Sequence, residues 1–83
     1  MPTFMDVHSL DEGVSAEDVA AAHKADLATQ TEYDVNYKRY WVNKEGTKIF
    51  CLVDAPDAET AAKVHREAHG LEADEIYEVS EHS

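Results

Sequence analysis

The sequence predicts a small α+β domain in which two helices cover one face of an antiparallel β-sheet. The first observation is length, because 83 residues leave room for one hydrophobic core, so residues 1–83 are expected to form a single domain. The second is the pattern of hydrophobic residues and turn signals, which divides the chain into elements in the order β-α-β-β-α-β. That order is the split βαβ arrangement of ferredoxin-like folds.

The first three elements are predicted as follows. Residues 3–8 alternate in character and form a first strand. Ser15 is a good N-cap, with an acidic residue three positions later, and it starts an alanine-rich helix that extends to about Gln30. Residues 35–42 are rich in Tyr, Trp and Val, which favours a second strand. A hairpin turn containing Gly46 follows this strand.

The second half of the chain continues the pattern. Residues 48–53 are almost continuously apolar, which indicates a third strand at the centre of the sheet. Asp57 then caps a second helix over residues 58–69, and Gly70 ends it. Residues 75–79 alternate again and form the last strand.

The face of the sheet opposite the helices is predicted to be uncovered. Phe4, Phe50, Leu52 and the Tyr and Trp residues are available to line it, and the run Tyr37, Tyr40 and Trp41 is most simply explained by packing in the sheet or a dimer. An exposed aromatic face on a small domain usually indicates self-association. We therefore expect a homodimer formed through the sheet face.

The charge balance limits the partners. The chain carries 7 Lys+Arg against 18 Asp+Glu, a formal net charge of −11. This field repels phosphate backbones and anionic membranes and attracts cations, so nucleic acid is not an expected partner. No basic amino-terminal region, signal-like segment or long apolar run is present, so no membrane association is expected. Cys51 is the single cysteine, so no intrachain disulfide can form, and a cytoplasmic location is the simplest expectation.

Histidines are the strongest candidates for chemistry. His65 and His69 are spaced i, i+4 on the second helix, which lets two imidazoles bind one metal ion, although this motif supplies only two ligands. On the first helix, His23 is predicted to share the inward face with Val19, Ala20 and Leu27, with Asp26 beside it. His23 and Asp26 are therefore expected near the seam between the helices. Binding should weaken as pH falls through the imidazole range at about 6.5.

A second candidate site lies on the first strand. Asp6 and His8 point to the same side, because side chains on a strand alternate. These two residues either form a second metal site, completed by the other subunit, or are structural, with His8 at the strand end and Asp6 paired with Lys or Arg. Cys51 is interpreted as a small buried hydrophobe, and His82 in the tail is not expected to be a primary ligand.

Segments along almost the whole chain are similar to one protein family. They are residues 4–8 (FMDVH), 22–27 (AHKADL), 40–42 (YWV), 50–56 (FCLVDAP), 64–70 (VHREAHG) and 73–79 (ADEIYEV). Together they resemble a family of short bacterial proteins, formerly a domain of unknown function, of which one branch is described as nickel-binding. The resemblance implies a ferredoxin-like fold, a homodimer, and Ni²⁺ held near the dimer surface for sequestration, homeostasis or detoxification.

These observations favour a nickel-binding protein without enzymatic activity, whose ligands are drawn from His65, His69, His23, His8, Asp6 and Asp26. Imidazole with carboxylate also suits zinc and copper, so other divalent transition metals stay open. Two alternatives remain. One is a dimeric α+β barrel enzyme, similar to monooxygenases or isomerases, with Asp6 and His8 as acid–base groups in a pocket between the sheets. The other is a structural module in which each histidine bonds a backbone carbonyl.

Overall fold

A computed structural model describes residues 1–82; Ser83, the last residue of the predicted domain, lies outside the described residues. The predicted element order is confirmed, with one short 3₁₀ turn added after the first helix. The elements are β1 Thr3–Ser9, α1 Ala16–Thr29, the 3₁₀ turn Gln30–Tyr33, β2 Asn36–Val42, β3 Lys48–Asp54, α2 Ala58–Ala68 and β4 Glu75–Val79.

The four strands form one antiparallel sheet in the order β2-β3-β1-β4. The order confirms the ferredoxin-like α+β fold. β3 is a central strand, as its continuous hydrophobicity predicts, and β1 lies beside it. No helix within residues 1–82 has the length and apolar character needed to cross a membrane.

Both helices begin at the predicted caps. The Ser15 hydroxyl accepts from the Asp18 N–H at 3.1 Å, and the Asp57 carboxylate accepts from the Thr60 N–H at 2.7 Å. The second helix ends one residue earlier than predicted. His69 is its C-cap, with φ −149°, and Gly70 at φ 79° turns the chain away. His69 therefore leaves the regular helix face, and its ring centroid lies 4.9 Å from that of His65.

The assignment of Phe4 to the open sheet face is wrong. Phe4 is 7% exposed and belongs to the core beneath the helices, beside its cross-strand partner Val53. The reason is the strand period of two, which puts Phe4 on the same face as Asp6 and His8. The open face instead carries Met5, Trp41, Phe50, Leu52 and Tyr77.

The predicted inward face of α1 is also wrong in part. Val19 is buried, but Ala20 is exposed and Leu27 is 43% exposed. Asp26 is 3% exposed and takes the inward position one turn from His23, which is half-buried. Helix α1 is rotated relative to the predicted orientation because the Asp26 carboxylate contacts the imidazoles of His65 and His69. A hydrophobicity pattern does not contain this attraction.

A β-bulge changes which side chains of β2 face the helices. Tyr37 is opposite Val53 and Arg39 is opposite Leu52, so one extra residue, Lys38, is inserted between them. Tyr37 and Tyr40 consequently both lie on the helix side, although their spacing of three would separate them on a regular strand. The prediction of sheet or dimer packing for these two tyrosines is replaced by packing under the helices.

The loop after β1 is fastened to the β2–β3 hairpin. A Cβ added to Gly13 or to Gly46 would collide with backbone atoms of the opposite segment, and Gly46 also has φ +72°. The Val14 N–H donates to the Gly46 carbonyl at 2.9 Å. This close approach holds Leu10 and Val14 at the end of the sheet, beside the site described next.

Candidate metal centre

His65 lies between two carboxylates. Its Nδ1 is 2.8 Å from Asp26 Oδ1, and its Nε2 is 2.9 Å from Asp6 Oδ2. Asp26 comes from α1 and Asp6 from β1, so the ring connects both helices to the central sheet. The predicted alternative, a core histidine bonded to a backbone carbonyl, does not describe His65, because both of its nitrogens face carboxylates.

A carboxylate at each nitrogen requires both nitrogens to donate, so the ring is an imidazolium. Burial alone would lower the pKa of His65, but the hydrogen bonds to Asp26 and Asp6 outweigh it and raise the pKa to about 9. Burial likewise opposes ionisation of the two acids. The hydrogen bonds from His65 and His8, together with the charge interaction with the nearby His69 ring, nevertheless lower the pKa of Asp6 and of Asp26. The pH of about 6.5 that the sequence predicts for protonation of the imidazoles is therefore too low for His65.

Asp26, His65 and His69 form the first group of ligand-type atoms, here called the helix-side group. Their nearest donor atoms lie within 4.8 Å of one another. His69 Nδ1 lies 3.1 Å from the N–H of Leu71, which is exposed. A neutral ring that binds a metal ion through Nε2 carries its proton on Nδ1, and the Leu71 N–H then bonds water instead. That Nε2 lies 3.0 Å from Asp26 Oδ1, yet it is buried and forms no hydrogen bond to any described residue. A buried nitrogen without a partner is the fit expected for a metal ligand.

Asp6, His8, Cys51 and His65 form the second group, here called the sheet-side group. The His8 Nε2 lies 3.1 Å from Asp6 Oδ1, as the alternation of β1 predicts for two side chains on one face. Asp6 contacts histidines and Tyr37 rather than Lys or Arg. Cys51 is the cross-strand partner of Asp6 in the register of β1 with β3, and its donor atom lies within 4.8 Å of the other three.

Two residues of this region are not recognised as site residues from the sequence. Tyr37 points its hydroxyl at Ala61 O, 2.9 Å away, and at Asp6 Oδ2, 3.2 Å away, and its ring centroid lies 4.3 Å from that of His65. The thiol of Cys51 has a raised pKa because it is buried and faces Asp6. The pairing of β1 with β3 puts Cys51 directly opposite Asp6, so the register of these two strands could have found Cys51, whereas the bulge conceals Tyr37.

A cavity of about 130 Å³ leads to both groups. Its walls are largely apolar, and side chains of both groups are among the residues that line it. His23 also lines the cavity, packed against Tyr40 with 4.8 Å between ring centroids, but it belongs to neither group. His82 lies elsewhere, beside Met5 and Trp41 of the open face. The cavity residues are His8, Leu10, Val14, Asp18, Val19, Ala22, His23, Asp26, Tyr40, Ile49, Cys51, His65, His69 and Leu71.

Comparison with known proteins gives one family and one solved structure. Residues 4–79 match the family described as nickel-responsive proteins similar to SCO4226. The crystal structure of SCO4226 from Streptomyces coelicolor A3(2) is 37% identical in sequence and superposes with a TM-score of 0.88, covering 98% of this chain and 99% of that one. No curated protein sequence matches significantly. Both ligand groups fall inside the matched residues.

Proposed function

Because the chain belongs to the SCO4226-like family of nickel-responsive proteins, we propose that it binds Ni²⁺ and sequesters it, with the ion as cargo rather than as a catalytic cofactor. The proposed ligands are those of the helix-side group, Asp26, His65 and His69. Imidazole and carboxylate are ligands suited to nickel.

The observation that carries the proposal is the position of His69 Nε2. This nitrogen is buried, forms no hydrogen bond to a described residue, and lies 3.0 Å from a carboxylate oxygen that already accepts from His65. Leaving such a group without a partner is unfavourable by about 1–3 kcal/mol. An ion shared by the two imidazoles and the carboxylate removes that penalty.

The charge of the cluster supports a dication. Two carboxylates facing one imidazolium leave a single negative charge in a buried region, within a chain whose formal net charge is −11. When the His65 proton leaves and a divalent ion enters, the two carboxylates balance the ion. Asp6 then accepts from the remaining N–H of His65 and holds the ring in its orientation.

The remaining predicted site residues have accessory roles in this proposal. His23 lines the same cavity as the helix-side group and is only half-buried, which suits a residue that contacts the ion during entry. Asp6 and His8 support His65 from the sheet. Family membership is what favours nickel, since by ligand type alone copper would bind the same residues more tightly.

The proposal includes a cytoplasmic homodimer without a nucleic-acid partner. Trp41 and Tyr77 lie on the open sheet face, 47% and 50% exposed, and such aromatic area supports self-association. The acidic balance disfavours nucleic acid. The alternative of a barrel enzyme has less support, because Asp6 and His8 are buried under the helices and would not line a pocket between two open faces.

Calorimetric titration of the tag-free protein with Ni²⁺ tests the proposal. We expect saturable binding tighter than millimolar, and loss of most of the affinity in the double variant Asp26→Asn with His69→Gln. The matched control is His82→Gln, which changes a histidine on the other side of the sheet and should leave binding unchanged. Absence of saturable binding, or equal affinity in the double variant, would refute the proposed site.

A further inference from the structure

We propose that the cavity beneath α1 binds a small organic ammonium ion, a primary amine that carries one apolar ring. The ammonium group lies beside the carboxylate of Asp26, and the ring lies along the apolar walls. The ligand is an organic molecule held by the metal-free protein. The inference therefore goes beyond the proposed function and does not rest on it.

The volume of the cavity limits the size of the ligand. The cavity measures about 130 Å³. A protein cavity of about 150 Å³ with aliphatic and aromatic walls binds one molecule of benzene. The cavity beneath α1 is therefore large enough for a single ring, or for a branched chain of similar size, and too small for a body of two fused rings.

The walls of the cavity select an apolar body for the ligand. Val19 and Ile49 are buried and line it. Tyr40 packs on His23, with 4.8 Å between the ring centroids, and these two rings add an aromatic surface to the lining. Water against such walls finds few hydrogen-bond partners, whereas an apolar ring gains contact area and edge or face contacts with the aromatic side chains.

The charge of the lining selects a cation. Among the described residues that line the cavity there are two aspartates, Asp18 and Asp26, and no Lys or Arg. The carboxylates of Asp26 and Asp6 face the single imidazole of His65, so this cluster is negative whether that ring is neutral or protonated. Asp18 is exposed at the mouth, where its charge attracts a cation from solvent. An anionic ligand is repelled by the same charges.

One carboxylate oxygen is available to the ammonium group. Asp26 Oδ1 is bonded to His65 Nδ1 at 2.8 Å, whereas Asp26 Oδ2 forms no hydrogen bond with a described residue and is not among the atoms sealed from solvent. Asp26 lines the cavity and is 3% exposed, so the cavity is the route by which this oxygen is reached. A hydrogen bond from an ammonium group to a carboxylate is roughly twice as strong as one between neutral groups.

Benzylamine is the probe, with benzyl alcohol as its neutral counterpart and methylamine as a cation without a ring. The tag-free protein is freed of metal with a chelator, and ¹H–¹⁵N correlation spectra are recorded during titration with each compound. We expect saturable shifts with benzylamine in residues around the cavity, with a Kd below about 1 mM. Benzyl alcohol and methylamine should each bind at least about tenfold more weakly, because each lacks one of the two recognised features.

Ala22→Leu is the variant that tests the location. Ala22 lines the cavity and is half-buried, so the larger side chain occupies part of the cavity without changing any charge. Benzylamine should bind this variant at least about tenfold more weakly. Ala20→Leu is the matched control, because Ala20 is exposed on the same helix, and it should leave the affinity unchanged. Circular dichroism identifies a variant that fails to fold, and the shifts of the unaltered protein then locate the ligand without it.

The outcomes separate this inference from the proposed function. Shifts that do not saturate, or equal affinities for benzylamine and benzyl alcohol, overturn the amine site. Unchanged affinity in Ala22→Leu places the amine outside the cavity and also overturns it. All three results leave the binding of Ni²⁺ untouched, whereas a protein that binds benzylamine in the cavity and no Ni²⁺ refutes the proposed function and supports this inference.

Discussion

One carboxylate oxygen of Asp26 lies 3.0 Å from His69 Nε2 and accepts no hydrogen bond from it, whereas the same oxygen is 2.8 Å from His65 Nδ1 and does. The two imidazoles compete for one acceptor, and His65 has the better alignment. The described residues therefore supply no hydrogen-bond partner for His69 Nε2, and its burial in this state lowers the stability of the metal-free protein.

The first prediction concerns His69→Gln. We expect Ni²⁺ affinity to fall by more than about tenfold, because a ligand is lost. The free energy of unfolding of the metal-free protein should change by less than about 1 kcal/mol, because Nε2 has no partner and the exposed Leu71 N–H near Nδ1 can bond water instead. Calorimetry and urea denaturation measure the two quantities.

His82→Gln is the control for both quantities, since His82 is exposed and bonds Ser80. Unchanged affinity in His69→Gln would contradict the ligand assignment. A large loss of metal-free stability would show that His69 Nε2 has a structural partner in the absence of metal.

The second prediction concerns the pH dependence of metal-free stability. The pKa of His65 rises from 6.5 to about 9 on folding, so the folded chain binds this proton more tightly than the unfolded chain. The stabilisation is complete below pH 6.5 and is lost as pH rises through about 9. Urea denaturation across this range should show a steadily decreasing free energy of unfolding.

His65→Gln provides the control for that experiment. The variant is less stable because Asp6 and Asp26 lose their shared partner, but most of the pH dependence above 6.5 should disappear with the imidazole. Stability that stays constant or rises between pH 6.5 and 9 in the unaltered protein would show that His65 is not an imidazolium in the folded state.

The third prediction concerns Tyr37→Phe. Removal of the hydroxyl deletes a buried donor that lies between Ala61 O and Asp6 Oδ2, and Asp6 Oδ2 keeps its bond from His65, so we expect the free energy of unfolding to fall by about 1 kcal/mol. Thermal and urea denaturation measure the loss. Tyr77→Phe is the matched control, because Tyr77 is half-exposed on the open face, and equal effects of the two substitutions would argue against the buried hydrogen bonds.

The fourth prediction concerns the reactivity of Cys51. Burial and the neighbouring Asp6 raise the pKa of the thiol, so the thiolate is scarce in the folded protein. Alkylation by iodoacetamide, followed by mass spectrometry, should be at least about tenfold slower in the folded protein than in urea. Similar rates in both states would place the thiol at the surface and remove it from the cluster.

The sequence predicts most of the fold because its signals are local. Ser15 and Asp57 start the helices where the structure has them, and the apolar run of β3 indicates its central position. The end of α2 is misplaced by one residue, since a cap depends on the φ of His69. The inward position of Phe4 is missed, although the alternation of side chains along β1 predicts it.

The arrangement of the site is predicted less completely, because it depends on how elements from distant parts of the chain are oriented. Spacing brings His65 near His69 and Asp6 near His8, and the structure has both pairs in contact. The burial of Asp26 follows from a rotation of α1 that only the opposing imidazoles explain. Hydrophobicity alone assigns that inward position to Leu27 instead.

The extra residue of β2 has a consequence for how this chain tolerates insertions and deletions. Deleting Lys38 alone would remove the bulge and leave Tyr37 opposite Val53 and Arg39 opposite Leu52, so Tyr40 and Trp41 would keep their present faces. Deleting Lys38 and Arg39 together would shift the rest of the strand by one position, force Trp41 beneath the helices and turn Tyr40, which packs on His23, outward. The strand can therefore lose one residue at this point and keep the ring that borders the histidines, whereas the loss of two should be far more damaging.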